Sequence, residues 1–121
     1  MTGKAMSTQS EPNSHTIQTG WNLHALMDLP ASMINHSCAA NVRLKLNSHG
    51  AYDFFAAKDI PEGKQIFFDY ETTEYEIQNF NCSCGTAECR GELGGFSKNG
   101  DVVMKQYGPD MISDYLKTEK P

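Results

Sequence analysis

The sequence predicts a mostly β protein that forms a single domain. Short segments in which apolar and polar residues alternate are typical of half-buried strands, and clusters of Gly, Pro, Asn and Ser separate them. The chain has 121 residues, of which 39% are hydrophobic. A core of that size is small, so a domain of this kind usually needs a metal or disulfide bonds as additional stabilisation.

The first part of the chain combines a polar tail with two short strands. Residues 1–14 are rich in Ser, Thr, Gln, Asn and Gly, and we expect a disordered tail there because this composition offers few residues to bury. Residues 15–18 and residues 23–27 are short strand-forming segments, and Gly20 lies between them.

The middle of the chain predicts a hairpin and a third strand. Residues 42–46 alternate with period two, which indicates a half-buried strand. Asn, Ser, His and Gly supply a turn over residues 47–50, and residues 51–57 return as the second strand of the hairpin. The sequence Ile-Pro-Glu-Gly at residues 60–63 suits a type I turn, and a strand is expected over residues 65–70.

The last part of the chain predicts a loop followed by a helix. Residues 79–95 contain three of the four cysteines and four glycines, so this segment is expected to be a loop that folds only with help. Residues 110–117 are predicted to form a short amphipathic helix. Four apolar side chains would lie on one side of it, namely Met111, Ile112, Tyr115 and Leu116.

The charge of the chain limits its partners. It carries 15 acidic and 10 basic residues, a net charge of −5. Nucleic-acid binding needs a surplus of Lys and Arg, so no direct nucleic-acid partner is expected, whereas an acidic surface suits a basic peptide. No apolar run is long enough to span a membrane and the N-terminus does not resemble a signal peptide. We therefore expect an intracellular protein, in the cytoplasm or the nucleus, that is not secreted.

The cysteines form one candidate metal site. Cys82, Cys84 and Cys89 lie within eight residues, and Cys38 precedes them by 44 positions. Four thiolates satisfy the tetrahedral coordination of zinc, and Gly85 allows a sharp turn after the second ligand of the loop. The alternatives are buried free cysteines or two disulfides. A reducing compartment favours the metal, which would then contribute directly to folding.

Three motifs resemble those of one enzyme family. Residues 35–38 have the sequence Asn-His-Ser-Cys, and together with Asn41 they resemble the first signature of SET-domain protein-lysine methyltransferases. Residues 66–70, Ile-Phe-Phe-Asp-Tyr, are similar to the second signature. Residues 82–91, Cys-x-Cys-Gly-x-x-x-Cys-Arg-Gly, are similar to the post-SET zinc loop. In order and spacing the motifs fit the C-terminal half of a SET domain with its post-SET segment, over residues 15–96.

The resemblance implies a fold and a division of the chain. SET domains consist of small β-sheets of the β-clip type, with a pseudoknot in which the Asn-His-Ser-Cys segment passes beneath a loop. Residues 15–78 would be the SET-like domain and residues 79–96 the post-SET zinc-binding segment. Residues 97–121 would be a C-terminal extension that contains the short helix. S-adenosylmethionine would bind on one side of the pseudoknot, and the target lysine of a protein or peptide would enter a channel from the other.

The resemblance also implies roles for individual residues. Tyr70 would be the catalytic tyrosine, with its hydroxyl near the transferred methyl group. Three residues would contact the cofactor, namely Asn35, His36 and Leu93. Phe68 matches a family position that carries Phe or Tyr. A dry aromatic channel would favour the neutral form of the substrate lysine, and Tyr75 and Phe80 are the further candidates, beside Phe68, to line it. One zinc ion would be bound by all four cysteines, Cys38, Cys82, Cys84 and Cys89.

One departure from the family pattern bears on activity. The N-terminal part of a SET domain carries a Gly-x-Gly segment that binds the cofactor, and no two glycines of this chain are spaced two apart. The chain is therefore expected to lack that part. It is either an active S-adenosylmethionine-dependent lysine methyltransferase, completed by a second copy, by a partner chain or by its own tail, or a non-catalytic, zinc-stabilised peptide-binding module. A truncated product of low stability is the third alternative.

Overall fold

Small antiparallel sheets dominate the fold. A computed structural model of the chain describes residues 1–12 and 15–121. Within these residues, nine short strands form four separate sheets, and one α-helix follows them. The predicted mostly β class is confirmed.

The first sheet contains three strands in the order β1-β3-β2. They are β1 (Ala5–Gln9), β2 (Thr16–Gly20) and β3 (Leu23–Met27), and both pairings are antiparallel. The predicted strand over residues 23–27 is therefore confirmed, and it is the central strand of this sheet.

The N-terminal segment differs from the disordered tail predicted for residues 1–14. β1 pairs with β3 from Ala5 opposite Met27 to Gln9 opposite His24. Upstream of β1, the N–H of Gly3 donates to the carbonyl of Tyr52 over 2.8 Å. β1 is an edge strand with an exposed face, and backbone pairing rather than apolar burial holds it in place. Such a strand needs few apolar residues, so its polar composition wrongly indicated disorder. Residues 13 and 14 also belong to the predicted tail and lie outside the described residues.

The hairpin predicted for the middle of the chain is confirmed. β5 (Val42–Leu46) pairs antiparallel with β6 (Tyr52–Ala56), and Leu44 lies opposite Phe54. Their inward side chains join the first sheet in the larger hydrophobic core. Its buried members are Ile17, Met27, Ala31, Ile34, Val42, Leu44, Ala51, Tyr52, Phe54 and Phe68.

A parallel strand pair brings the first two motifs together. β4 (Asn35–His36) pairs with β7 (Phe67–Phe68). The side chain of Asn41 supports this pairing, because its Oδ1 accepts the Phe67 N–H over 2.8 Å and its amide donates to the Gln65 carbonyl over 3.0 Å. The Asn-His-Ser-Cys segment and the Asp-Tyr segment are thus neighbours in space, although some 30 residues separate them in the sequence.

The C-terminal part corrects one predicted element and adds another. β8 (Phe80–Asn81) and β9 (Glu92–Leu93) form a small hairpin, and helix α1 (Phe96–Tyr107) follows. The helix predicted over residues 110–117 is wrong, since that segment forms two separate 3-10 turns, Pro109–Met111 and Asp114–Lys117.

Tertiary hydrogen bonds explain the interruption between the two turns. The N–H of Ser113 donates to the Thr72 carbonyl over 2.9 Å, and the Ser113 hydroxyl lies 2.6 Å from the buried Tyr52 hydroxyl. These bonds hold the backbone at Ile112 in an extended conformation, which no helix allows. In the described part of the chain, no helix has the length and apolar character needed to cross a membrane.

Replacing Gly3 by Ala tests whether the N-terminal segment is packed. A Cβ at this position would lie 2.7 Å from the Tyr52 carbonyl oxygen, so Gly3→Ala is expected to destabilise the protein by about 1–3 kcal/mol in denaturant unfolding. Gly20→Ala is the matched control, because its Cβ would meet nothing closer than 3.8 Å. An equal free energy of unfolding for Gly3→Ala and the wild type would mean that this segment is not packed on β6.

Candidate functional site

The four cysteines converge on one point. Their sulfur atoms all lie within 4.8 Å of one another, and Cys38 Sγ is 3.7 Å from Cys82 Sγ. A tetrahedral metal with bonds of about 2.3 Å to sulfur requires sulfur–sulfur distances of about 3.8 Å. A disulfide requires about 2.05 Å, and all four cysteines are free. The arrangement fits a metal-binding set and not a pair of disulfides.

Two separate segments supply these thiols. Cys38 follows β4 and is fully buried, whereas the other three lie in the loop between β8 and β9 and are half-buried. The loop is closed by backbone hydrogen bonds, one of them from the Cys82 N–H to the Gly91 carbonyl over 2.6 Å. Gly85 has a φ of +76°, a conformation that favours glycine, directly after the second thiol of the loop.

The electrostatic environments of the thiols differ. Burial raises the pKa of Cys38 far above its ordinary value, so a bare thiolate there is unfavourable. Burial also acts to raise the pKa of Cys84, but hydrogen bonds from the hydroxyl and the N–H of Thr86 outweigh it and lower this pKa to about 6. A bound cation would stabilise the thiolate of Cys38 directly, since metal-coordinated thiols are deprotonated.

His36 connects the cysteine cluster to Tyr70. Its Nδ1 accepts a hydrogen bond from the Tyr70 N–H over 3.0 Å, so the ring proton of the neutral imidazole must be on Nε2. Nε2 lies 3.3 Å from Cys38 Sγ and is placed to donate to it. Burial lowers the pKa of His36, which agrees with this neutral form.

Tyr70 is held by its hydroxyl and by aromatic neighbours. The hydroxyl donates to the Ile34 carbonyl over 2.9 Å, and the ring lies 4.8 Å from the Phe68 ring and 5.7 Å from the Phe80 ring. Burial raises the pKa of Tyr70, and the nearby charge of Glu74 raises it further. The phenol therefore remains protonated at neutral pH and keeps a fixed direction.

A cavity of about 630 Å³ opens beside Tyr70. Phe68, Phe80 and Ile34 contribute much of its apolar wall, and Glu74 reaches it from the loop that follows Tyr70. Glu11 and Glu76 add two further carboxylates to its lining. An elongated apolar chain with a positive charge matches such a combination of aromatic rings and acidic groups.

The structure brings only some of the predicted site residues to the cavity. Tyr70, Phe68 and Phe80 lie together at the cavity. Leu93 is buried in β9 directly opposite Phe80, whereas Asn35 is exposed.

Tyr75 is not brought to the cavity. Its ring packs on Trp21 at 5.1 Å and carries Lys120 Nζ at 4.8 Å above its face. Its N–H donates to the side chain of Gln18 over 2.9 Å. The ring packs against the smaller hydrophobic core around Val103 and Ile112, whereas its neighbours Glu74 and Glu76 line the cavity.

A buried ion-pair network that the sequence did not reveal surrounds Tyr70. Asp69 and Glu71 flank it and are both fully buried. Arg90 neutralises both, with Nη2 2.6 Å from Asp69 Oδ2 and Nη1 2.9 Å from Glu71 Oε1. Arg90 directly follows Cys89, so the same loop supplies thiols to the cysteine cluster and a cation to the residues beside Tyr70.

Helix α1 completes this network. Asn99 donates to both carboxylate oxygens of Glu71, and the Tyr107 hydroxyl lies 2.9 Å from Asp69 Oδ2 and 3.0 Å from the Cys38 carbonyl oxygen. The only sequence signal for the network was the position of two acidic residues on either side of the motif tyrosine, with an arginine directly after Cys89. Nothing in the pattern of α1 indicated its contribution.

Comparisons with known proteins agree with one another. A protein-family model described as SET domain matches residues 5–71. Histone-lysine N-methyltransferase ASHH2 of Arabidopsis thaliana is 34% identical over 76 residues, which cover 60% of this chain and 4% of that protein. Histone-lysine N-methyltransferase SETD2 of Homo sapiens is 38% identical over 65 residues, covering 51% of this chain and 2% of that protein. Histone-lysine N-methyltransferase SET9 of Phaeosphaeria nodorum is 32% identical over 92 residues, which cover 76% of this chain and 13% of that protein. The chain thus spans only a small part of the length of each.

Replacing Arg90 by Met tests the buried network. The variant keeps the apolar stem but leaves the carboxylates of Asp69 and Glu71 buried without their cation, so we expect a loss of about 3–5 kcal/mol in the free energy of unfolding. Lys45→Met is the matched control, because Lys45 pairs with Asp114 on the surface and should cost less than about 1 kcal/mol. An equally small loss of unfolding free energy in both variants would contradict the pairing of Arg90 with two buried carboxylates.

Proposed function

The chain belongs to the SET domain family, and from that membership we propose that it is a SET and post-SET protein that methylates lysine. The methyl group would come from S-adenosylmethionine, and the acceptor would be the side-chain amine of a lysine in a protein or peptide. One observation carries the proposal: the motif tyrosine, Tyr70, projects a fixed and protonated hydroxyl beside an aromatic cavity with acidic residues in its lining.

The chemistry of methyl transfer fits this cavity. Bound S-adenosylmethionine would supply an electrophilic methyl group on a sulfonium. The lysine nitrogen must approach in line and without its extra proton, so the protein has to align the amine and favour its neutral form. Lysine has a reference pKa of about 10.4, and an apolar surrounding lowers it because burial disfavours the charge. Phe68 and Phe80 would supply that surrounding.

Tyr70 would orient the amine. Its proton is committed to the Ile34 carbonyl, so the hydroxyl oxygen can accept a hydrogen bond from an incoming N–H. This bond would direct the nitrogen lone pair towards the methyl group.

Asn35, His36 and Leu93 are the residues proposed to contact the cofactor. Both ring nitrogens of His36 are engaged inside the protein, so its contact would use the backbone and the ring face rather than a ring nitrogen. The His36 ring meets the Phe80 ring edge-on at 5.7 Å, and Leu93 lies opposite Phe80 in the neighbouring strand. These contacts would form an apolar wall suited to a flat ring such as adenine.

Zinc is the metal that best fits the cysteine cluster. Four thiolates in a tetrahedral arrangement are typical of structural zinc, and the site leaves no position for a reacting ligand. The ion would fix the β8–β9 loop against Cys38, so that Phe80 stays beside Tyr70. Its contribution would be structural rather than catalytic.

The substrate proposal rests on charge and on relatives. The relatives are named histone-lysine N-methyltransferases, and Glu11, Glu74 and Glu76 give this cavity a negative charge that suits a basic segment. A lysine-containing protein such as a histone would be the substrate, in the nucleus or the cytoplasm.

The second candidate is a peptide-binding module without turnover. It is favoured by the glycine positions, since no Gly-x-Gly segment is present in these 121 residues. A second copy of the chain or a partner chain that supplies the missing cofactor contacts would restore catalysis.

Tyr70→Phe tests the enzymatic proposal. With zinc-loaded protein, radiolabelled S-adenosylmethionine and a histone peptide, loss of one positioned hydroxyl is expected to lower kcat at least ~10-fold. The zinc content should stay unchanged. Tyr75→Phe, which removes a hydroxyl from a ring packed on Trp21, is the matched control. Equal kcat in Tyr70→Phe and the wild type would remove Tyr70 from the mechanism, and a wild type that binds the peptide without turnover would favour the second candidate.

Cys38→Ser tests the metal. The hydroxyl is a much weaker ligand than a thiolate, so native mass spectrometry after dialysis should find less than one zinc per chain in this variant and one in the wild type. Ser83→Ala, between two ligands of the loop, should retain the full complement. Retention of one zinc by Cys38→Ser would separate Cys38 from the metal site.

A further inference from the structure

We propose that Glu74 and Tyr70 form an ammonium-binding subsite in the cavity, in which the Glu74 carboxylate pairs with a primary alkylammonium and accepts its proton. The inference rests on the proposed function for its biological ligand, a lysine side chain. The subsite itself is a property of the cavity and can be tested without methyl transfer.

Glu74 is fixed close to Tyr70. Glu74 follows Tyr70 by four residues, and its N–H donates to the Tyr70 carbonyl over 2.9 Å. Its Oε2 accepts two hydrogen bonds, from the Gln18 N–H over 2.9 Å and from the Thr73 hydroxyl over 2.7 Å. The carboxylate is therefore held at the cavity wall by β2 on one side and by its own loop on the other.

The surroundings of Glu74 make it an unusually basic carboxylate. Burial raises its pKa to about 7, although the bonds from Gln18 and Thr73 favour the charged form. Its negative charge also contributes to the raised pKa of Tyr70, which indicates that the two groups interact. A carboxyl group with a pKa near 7 can hold a cation at neutral pH in its ionised form and can also take up a proton.

The cavity offers the other contacts that an alkylammonium needs. The rings of Phe68, Tyr70 and Phe80 can surround the alkyl chain and face the positive charge. Further titratable groups line the cavity, namely Glu11, His15 and Glu76. Glu11 and Glu76 are exposed, so solvent screens their charges and they would mainly attract the cation to the opening.

Proton transfer within this pair would supply a neutral nucleophile. One N–H bond of the ammonium breaks, its proton bonds to a Glu74 carboxylate oxygen, and the electron pair stays on nitrogen. Ion pair and neutral pair have the same total charge, so the transfer leaves no net charge buried in the cavity. In the proposed reaction that lone pair forms the new N–CH3 bond while the bond between the methyl group and sulfur breaks.

Glu74→Gln separates this role from a purely structural one. Glutamine retains an oxygen that can accept the bonds from Gln18 and Thr73, but it carries no charge and cannot take a proton. The probe is n-butylammonium chloride, titrated into the zinc-loaded full chain and followed by NMR shifts of the Tyr70 ring. At pH 8 the wild type is expected to bind the probe at least ~10-fold more tightly than Glu74→Gln.

The pH dependence provides a second measurement that needs no variant. The pair requires an ionised carboxylate and a charged amine, so binding should rise with pH through about 7 and stay high until the amine itself deprotonates near pH 10. Any dependence that Glu74→Gln retains measures the contribution of Glu11, His15 and Glu76. Glu62→Gln is the control variant, because Glu62 is exposed and does not line the cavity, and it should bind n-butylammonium within about 2-fold of the wild type. Binding of the neutral probe n-butanol to the wild type should differ by less than about 2-fold between pH 5.5 and pH 8.

Two results would overturn the subsite. One is equal affinity of the wild type and a folded Glu74→Gln for n-butylammonium, which would leave Glu74 as a structural link between β2 and the loop. The other is a wild type that shows no binding of the probe, or binding that does not change between pH 5.5 and pH 8. Probe binding as expected, without methyl transfer to any peptide, would instead contradict the enzymatic proposal and leave the subsite intact.

Discussion

Cys38 is the residue on which the rest of the structure depends, because segments far apart in the sequence meet at its atoms. Its sulfur lies 3.7 Å from Cys82 Sγ and accepts a hydrogen bond from the backbone N–H of Arg90 over 3.4 Å, and both residues belong to the β8–β9 loop. Its carbonyl oxygen accepts hydrogen bonds from Gln106 over 2.6 Å and from Tyr107 over 3.0 Å, both near the end of α1. One fully buried residue therefore holds the loop and the helix against the Asn-His-Ser-Cys segment.

The same arrangement determines the position of Tyr70. The carboxylates on either side of it are buried, and Arg90 binds both of them. His36 adds a third constraint, since one ring nitrogen accepts the Tyr70 N–H and the other faces the cysteine cluster. Buried charges are tolerated only when they are paired and hydrogen-bonded, so the loop that carries three of the thiols and the segment that carries the tyrosine must fold together.

The sequence predicted the features whose signals are local. The β5–β6 hairpin follows from alternation and turn residues, and the cysteine cluster follows from ligand spacing. β1 was missed because an edge strand held by backbone pairing needs few apolar side chains, and α1 was missed because Asn99 and Gly100 are poor helix formers. Asn99 has non-helical backbone angles, a φ of −114° and a ψ of 15°, which kink the helix where its side chain donates to Glu71. Gly100 is buried against the Phe96 ring, so tertiary contacts rather than propensity stabilise the helix here.

The convergence of the thiols around a metal is the claim most directly open to measurement. X-ray absorption at the zinc edge reports the number, type and distance of the ligands of the bound ion without any need for catalysis. In the wild-type protein, four sulfur ligands at about 2.3 Å are expected. A coordination shell with nitrogen or oxygen ligands, or with only three sulfur atoms, would contradict the placement of Cys38 in the cluster and with it the link between the loop and Tyr70.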